Sequence, residues 1–272
     1  MAFQKLVRFD ENGTSKYGNL LKSHDKGHEV EKLSGNLWDG LKGTGKIITV
    51  PKLLCPLEST PIVICVGLNY RAHAIEANLK VPTYPVIFTK PSDALAGPSD
   101  VIHVHPDAQV KLDYEGELCI VIGRDAKNVS EEDALDYVLG YAVGNDVSAR
   151  NFQDPEASGG QFCYAKSFDG FAPVGPAIWA ASEAPDPQKL KLRTLVNGEV
   201  VQQTETGDMI WSVRQIIAHL SRGTTLRRGT VIMTGTPSGV GYFRGCFLKD
   251  GDVVEVDVEG FGKIENRIVF DK

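Results

Sequence analysis

The chain begins with short apolar pieces, Lys5–Phe9, Gly18–Leu21 and Lys46–Val50, separated by Gly, Asn and Asp turn signals. That pattern predicts a small β-rich unit over residues 1–55. Pro51, Pro56 and Pro61 punctuate a connector, and the character then changes. Runs rich in β-branched residues (Ile62–Gly67, Val86–Thr89, Leu118–Gly123, Val138–Val143, Val231–Met233, Val253–Val258) predict buried strands in a larger unit over 60–272. Helical periodicity is confined to 70–79, 130–138 and 210–221. In the second of these, Ser130 stands as an N-cap before Glu131, Glu132 and Asp133. Strands outnumber helices, and the two do not alternate as a βαβ fold requires. The expected class is mostly β (α+β), a roll with a few covering helices and no internal repeat.

One predicted strand carries an unusual charge. Leu118–Gly123 is preceded by Asp113-Tyr-Glu115-Gly-Glu117. If the strand starts near Asp113, the side-chain period of two places all three acids on one face. Like charges running into a core strand repel one another and resist desolvation. A hard cation would neutralise them, and so would a solvated edge with Lys or Arg partners; spacing leaves both open. A second apolar strand, Gly140–Gly144, ends in Asn145-Asp146. Taken singly, Asp146 is a turn residue. Beside an acid pair short of a third ligand it becomes a candidate partner, since two or three carboxylates plus waters or substrate oxygens suit Mg²⁺.

Composition narrows the partners. Of 272 residues, 42% are hydrophobic and 24% charged, ordinary globular values, and the formal charge is −6. No basic run appears, so neither nucleic acid nor an anionic membrane is an expected partner. The N-terminus lacks an apolar h-region, and Asp10 and Glu11 argue against a presequence. The longest apolar stretch, Ile62–Leu68, is far below the roughly 18 residues of a membrane span. Five scattered cysteines without a CxxC pair complete the expectation of a reduced, cytoplasmic protein, with Cys65, Cys119 and Cys246 as core thiols.

Five motifs occur in order: Cys65-Val-Gly-Leu-Asn-Tyr70-x-x-His73-x-x-Glu76, Asp113-Tyr-Glu-Gly-Glu-Leu, Asn145-Asp-Val-Ser-Ala-Arg150, Lys166-Ser-Phe-Asp169 and Thr234-Gly-Thr-Pro-x-Gly239. Together they resemble the fumarylacetoacetate hydrolase superfamily from about residue 60 to the C-terminus. The N-terminal piece resembles the small leading segment of its two-domain members. Phe88-Thr-Lys90-x-Ser92, Val196-Asn-Gly-Glu199 and Phe247-Leu-Lys-x-Gly-Asp252 are similar to the group of fumarylacetoacetate hydrolase domain-containing protein 2.

The resemblance implies a β-sandwich roll, usually a homodimer, holding Mg²⁺ or Mn²⁺, with Ca²⁺ also compatible. Carried over by position, the metal ligands are Glu115, Glu117 and Asp146, and Asp113 becomes an accessory acid. Arg150, Gln153 and Lys166 match positions that hold the substrate or polarise its keto oxygen. Thr236 matches the position whose loop contacts the substrate carboxylate, and His73 with Glu76 matches a catalytic pair on a mobile lid.

Residue chemistry gives each a role and a plainer alternative. His73 and Glu76, three apart, share a helix face, so Glu76 would fix the imidazole tautomer and free the other nitrogen to take a proton. The alternative is an ordinary exposed helix. Lys166 would stabilise a developing enolate, or lie on the surface. Arg150 would clamp a carboxylate in bidentate fashion, or pair with Asp154 or Glu156. Thr234–Gly241 lacks both GK[ST] and GxGxxG, which removes a nucleotide reading. Leu79–Pro85 are expected to border the substrate pocket.

The function implied is action on a small 2-oxo acid through a metal-bound enolate, with C–C hydrolysis of an acylpyruvate or β-diketo acid put first. Oxaloacetate tautomerisation or decarboxylation is the alternative, and the domain-containing protein 2 group points toward it. A meta-cleavage-pathway hydratase or isomerase ranks lower, because such relatives tend to lack the lid pair. A catalytically silent binding module is disfavoured by the presence of every matched polar position.

Overall fold

The computed structural model describes residues 2–24, 26–184 and 186–272. The N-terminal apolar pieces form β1 (Lys5–Glu11), β2 (Thr14–His24) and β4 (Gly40–Val50), with an additional strand β3 (Gly27–Asn36) between them. β3 reads Gly-His-Glu-Val-Glu-Lys-Leu-Ser-Gly-Asn and buries little beyond Val30 and Leu33, which is why its hydrophobic signal is weak.

The remaining strands are β5 (Val63–Gly67), β6 (Val86–Lys90), β7 (Leu95–Ala96), β8 (Ile102–Val104), β9 (Leu112–Asp113), β10 (Gly116–Ile122), β11 (Val138–Asn145) and β12 (Ser148–Ala149). They continue with β13 (Ala172–Ala180), β14 (Lys191–Val196), β15 (Glu199–Glu205), β16 (Val231–Met233), β17 (Val253–Val258) and β18 (Gly262–Phe270). The large sheet runs β4-β3-β2-β1-β13-β11-β10-β16-β5-β6, with β7 beside β13. A second sheet, β15-β14-β17-β18-β8, lies across β10, β11 and β13. The result is the expected strand-dominated sandwich. β1 joins the large sheet by pairing Lys5 and Leu6 with Trp179 and Ile178 of β13.

β10 shows how the pattern builds the layers. All seven of its residues are buried. Leu118, Ile120 and Ile122 face the core shared with β14, β17 and β18, while Cys119 and Val121 face the opposite core with Cys65, Met233 and Val174. A strand buried on both faces reads as a continuous apolar run, as this one does.

Helices are short: α1 (Arg71–Glu76), α2 (Pro155–Ser158), α3 (Val213–Leu220) and α4 (Gly241–Arg244). α3 carries a full capping box, Ser212 and Gln215 each bonding the other's backbone N–H. The helix expected at 130–138 is a correction. Ser130 Oγ accepts from Asp133 N–H and donates to Asp133 Oδ2, which closes a local turn, and only a 3₁₀ turn at Ala134–Tyr137 follows before β11 begins. A second correction is Cys246, which is exposed in the turn after α4, whereas Cys55, Cys65 and Cys119 are buried. Its apolar neighbours had suggested a core position, but Tyr242–Gly245 stand in solvent. No helix among the described residues is long and apolar enough to cross a membrane.

Candidate active site

The acids gather at the end where β10 enters and β11 leaves the sheet. β10 and β11 are antiparallel with Gly116 opposite Asn145, so the start of one strand and the end of the other are neighbours. Glu115 and Glu117 flank Gly116, and Asp146 follows Asn145. Carboxylate oxygens of Glu115, Glu117 and Asp146 lie within 4.8 Å of one another, and all three residues are buried. Asn145 Oδ1 accepts from Glu115 N–H at 2.9 Å, and Asp146 N–H donates to Glu115 O at 2.8 Å, which locks the corner.

Each carboxylate has different company. Glu115 Oε1 accepts from Arg150 Nη2 at 2.5 Å and Oε2 from Lys166 Nζ at 2.7 Å. Burial opposes its charge, but Lys166 and Arg150 outweigh burial and hold the carboxyl down to about 2. Asp146 Oδ2 accepts from Lys166 at 2.6 Å, and Lys90 Nζ stands 2.5 Å from Oδ1. Glu117 is 1% exposed and accepts from Gly235 N–H at 2.6 Å. Burial, then Asp146 and Glu115, push its carboxyl well above the usual range. A buried carboxyl so disfavoured by its neighbours is what a cation would relieve. With oxygen-only donors, Glu115, Glu117 and Asp146 fit a hard divalent cation, and a soft-metal site would want thiolate or imidazole.

Asp113 stands apart from this set. It belongs to β9, paired with β12, and not to β10, so the single acidic face expected from a strand starting at Asp113 does not form. Tyr114 and Glu115 lie between the two strands, outside both. Asp113 is instead wholly buried among donors: Tyr114, Gly241 and Tyr242 N–H, and Arg150.

Lys166 is a buried cation and Arg150 a half-buried one. Arg150 donates from Nε to Asp113 at 2.8 Å, from Nη2 to Glu115, and from Nη1 to Gln153 Oε1 at 3.0 Å. Three of the five guanidinium N–H groups are thereby engaged within the protein, by Asp113, Glu115 and Gln153. Neither Asp154 nor Glu156 is its partner. Lys166 spends its three N–H bonds on Glu115, Asp146 and Ser148 Oγ at 2.8 Å. It therefore acts as a fixed positive charge between two acids.

His73 and Glu76, the pair expected on a lid, both lie on α1. His73 Nδ1 lies 3.0 Å from Glu76 Oε2, as their three-residue spacing on α1 requires. Glu76 Oε1 accepts from Gly239 N–H at 2.9 Å, tying α1 to the 234–241 loop. Arg71 Nη1 and Ala72 N–H bond the 208–209 segment and hold the base of α1. In the loop, Gly235 has φ +101°, and a Cβ there would come 2.7 Å from Asn69 Cβ and 2.9 Å from Val66 O, so no other residue fits. Thr236 Oγ1 donates to Gly116 O at 3.0 Å, between the two glutamates.

These groups line one cavity of about 270 Å³. Glu115, Arg150, Gln153, Lys166, Thr236 and His73 form its polar side; Leu68, Leu79, Phe88, Phe162, Tyr242 and Phe243 form its apolar side. Glu117 and Asp146 lie beneath this surface. Of the segment Leu79–Pro85, Leu79 reaches the cavity, while Thr83, Tyr84 and Pro85 line a separate groove against α3. Two contributors escaped the sequence reading. Lys90 ends β6, an apolar strand that gave no reason to expect a buried ammonium. Gln202 on β15 accepts from Gly116 N–H at 3.0 Å and donates to Thr236 Oγ1 and Pro237 O, with only strand alternation to mark it as inward.

The family described as fumarylacetoacetate (FAA) hydrolase C-terminal matches residues 62–269. The fumarylacetoacetate hydrolase domain-containing protein 2 homolog of Dictyostelium discoideum is 43% identical over 228 residues, covering 80% of this chain and 74% of that protein. The oxaloacetate tautomerase YisK of Bacillus subtilis is 41% identical over 222 residues, covering 80% of this chain and 73% of its own. Among solved structures, the 2-hydroxyhepta-2,4-diene-1,7-dioate isomerase of Mycobacterium marinum superposes with a TM-score of 0.85 at 36% identity, covering 98% of this chain and 99% of that one.

Proposed function

Because this chain belongs to the fumarylacetoacetate hydrolase family, we propose that it interconverts the keto and enol forms of oxaloacetate at a divalent-cation site of Glu115, Glu117 and Asp146. Mg²⁺ or Mn²⁺ is the cation we assign, since the donors are oxygens alone. Relatives above 40% identity that carry the oxaloacetate tautomerase name move the weight from C–C hydrolysis, which the motifs alone had put first. A cytoplasmic homodimer remains part of this reading.

The observation that carries the chemistry is the Glu76-oriented His73 facing a small cavity whose opposite wall holds Lys166 and Glu115. With Nδ1 paired to Glu76, Nε2 is free to take a proton. His73 removes a proton from C3 of the 2-oxo acid; the C–H pair becomes the C2–C3 π bond, and the carbonyl pair moves onto oxygen. A proton from solvent on that oxygen completes the enol. The bound cation would supply Lewis-acid polarisation of the keto oxygen. Lys166 and Arg150 keep Glu115 ionised beside it, and buried Phe88 on the apolar wall lowers the local polarity and strengthens these fields. A cavity of about 270 Å³ lies at the small end for ligand sites and suits an acid of a few carbons.

A second reading, hydrolysis of an acylpyruvate, is favoured by the same pair, because an oriented imidazole also activates water. The test is a panel of oxaloacetate, acetylpyruvate and fumarylpyruvate with Mg²⁺ and EDTA controls. EDTA-sensitive loss of enol absorbance from oxaloacetate, without cleavage or decarboxylation, supports the first reading. Cleavage of the acylpyruvates with no effect on oxaloacetate replaces it by the second. No EDTA-sensitive turnover of any of them sinks both, as would an unchanged rate in His73→Ala.

A further inference from the structure

We infer that Asp113, a buried carboxylate outside the cation-ligand set, is a positioning residue that registers Arg150 on the cavity wall against His73 on the lid. The inference rests on the reading of His73 as the base. Asp113 Oδ1 accepts from Gly241 N–H at 2.7 Å and Tyr114 N–H at 2.9 Å; Oδ2 accepts from Tyr242 N–H at 3.0 Å and Arg150 Nε at 2.8 Å. One carboxylate thus holds both Arg150 and the first turn of α4.

α4 in turn carries two aromatic side chains to the cavity. The Tyr242 ring lies 5.8 Å from the Arg150 guanidinium carbon, and Phe243 meets the His73 ring edge-on at 5.7 Å. Tyr242 and Phe243 touch each other at 5.2 Å between ring centres. The contacts close a circuit from Asp113 through Arg150, Tyr242 and Phe243 to His73. Position 241 admits no side chain, because a Cβ would meet Asp113 Oδ1 at 2.6 Å and Cys246 O at 2.3 Å. The close approach of α4 to Asp113 is therefore built in, and a shift of Asp113 moves the cavity wall, Arg150 and the lid's resting surface together.

Asp113→Asn separates this role from cation binding. The amide oxygen still accepts from Gly241 and Tyr114, but its NH₂ faces Tyr242 N–H and Arg150 Nε–H, donor against donor. We expect KM for oxaloacetate to rise about tenfold with a fall in kcat. Trypsin cleavage after Arg71, the first residue of α1, or after Lys80 just beyond it should accelerate about fivefold. Mn²⁺ affinity of the metal-free protein, read by electron paramagnetic resonance, should stay within about twofold of the parent. Phe243→Leu, a milder change at the far end of the circuit, should lower kcat and open the lid to trypsin with Mn²⁺ affinity intact. Loss of Mn²⁺ binding in Asp113→Asn by tenfold or more would place Asp113 in the cation cage and overturn the inference. So would parent-like kinetics and lid proteolysis in both variants. If the parent turns over no 2-oxo acid, the enzymatic reading fails, and the proteolysis and Mn²⁺ measurements still decide this one.

Discussion

Lys90 Nζ and Asp146 Oδ1 stand 2.5 Å apart, and neither side chain is exposed. The ammonium also donates to Phe171 O at 2.6 Å and Val147 O at 3.1 Å. Its contact with Asp146 is an ion pair without hydrogen-bond alignment, since Oδ1 has no aligned donor. Removing one partner of a buried pair leaves the other charge uncompensated, at a typical cost of about 3–5 kcal/mol. Asp146 keeps Lys166, so Lys90→Met should cost about 3 kcal/mol in urea unfolding, at the lower end of that range. A loss below about 1 kcal/mol would mean that the pair contributes little to the fold.

Glu117 is where the cation reading is most exposed to test. Without a cation, Glu117 is buried between Asp146 and Glu115, and both disfavour its charge. Glu117→Gln removes that repulsion, so in EDTA the variant should be at least as stable as the parent. With Mg²⁺ or Mn²⁺ the order should invert. A cation at a hundred times its Kd adds about 2.7 kcal/mol to the parent, and the variant loses most of that gain. Thermal melts with and without EDTA decide it. An equal metal-induced rise in both proteins would remove Glu117 from the ligand set.

Cysteine accessibility gives an independent check on the core. Cys65 and Cys119 are fully buried and Cys55 nearly so, and burial is the main force pushing each thiol up, Cys55 to about 11. The thiolate is the reactive form, so these three should resist iodoacetamide at pH 8 in the native protein. Cys246, exposed, should be alkylated first, with half-buried Cys163 slower. Peptide mass spectrometry reads the order. Early modification of Cys119 would contradict the burial of β10 on both faces.

What the sequence made legible follows from where each signal lives. Leu118–Ile122 is buried on both faces and Val63–Gly67 nearly so, and their apolar runs announce them without reference to anything distant. β3 has one half-solvated face and few apolar residues, and only its pairing with β2 and β4 makes it a strand. The ligand set needed more than spacing. A period of two groups Asp113 with Glu115 and Glu117, and only the break between β9 and β10 separates them, with Asp113 bonded to the N–H of Gly241, 128 residues away. Lys90 and Gln202 were invisible for a similar reason. A lysine ending an apolar strand and a glutamine in a polar one become site residues only when the fold sets Lys90 against Asp146 and Gln202 against Gly116.

Gln202 makes the last of these points measurable. Its Oε1 accepts Gly116 N–H, and its Nε2 donates to Thr236 Oγ1 at 2.8 Å and Pro237 O at 3.0 Å, all at 2% exposure. Thr236 Oγ1 then donates to Gly116 O. Both polar groups of the one residue between Glu115 and Glu117 are thus held by this side chain and its neighbour. Gln202→Leu leaves Gly116 N–H buried without an acceptor, at a cost of about 1–3 kcal/mol. The functional effect should exceed the stability effect, because supporting groups behind ligands typically change metal affinity by about 10- to 100-fold. We expect Gln202→Leu to weaken Mn²⁺ binding at least tenfold and to raise KM, since the same bond fixes Thr236 on the cavity wall. Gln202→Glu keeps the acceptor for Gly116 and loses the donations to Thr236 Oγ1 and Pro237 O, so it should fall between parent and Gln202→Leu. If Gln202→Leu unfolded more easily yet bound Mn²⁺ like the parent, Gln202 would be a brace of β15 alone, with no part in holding the glutamates.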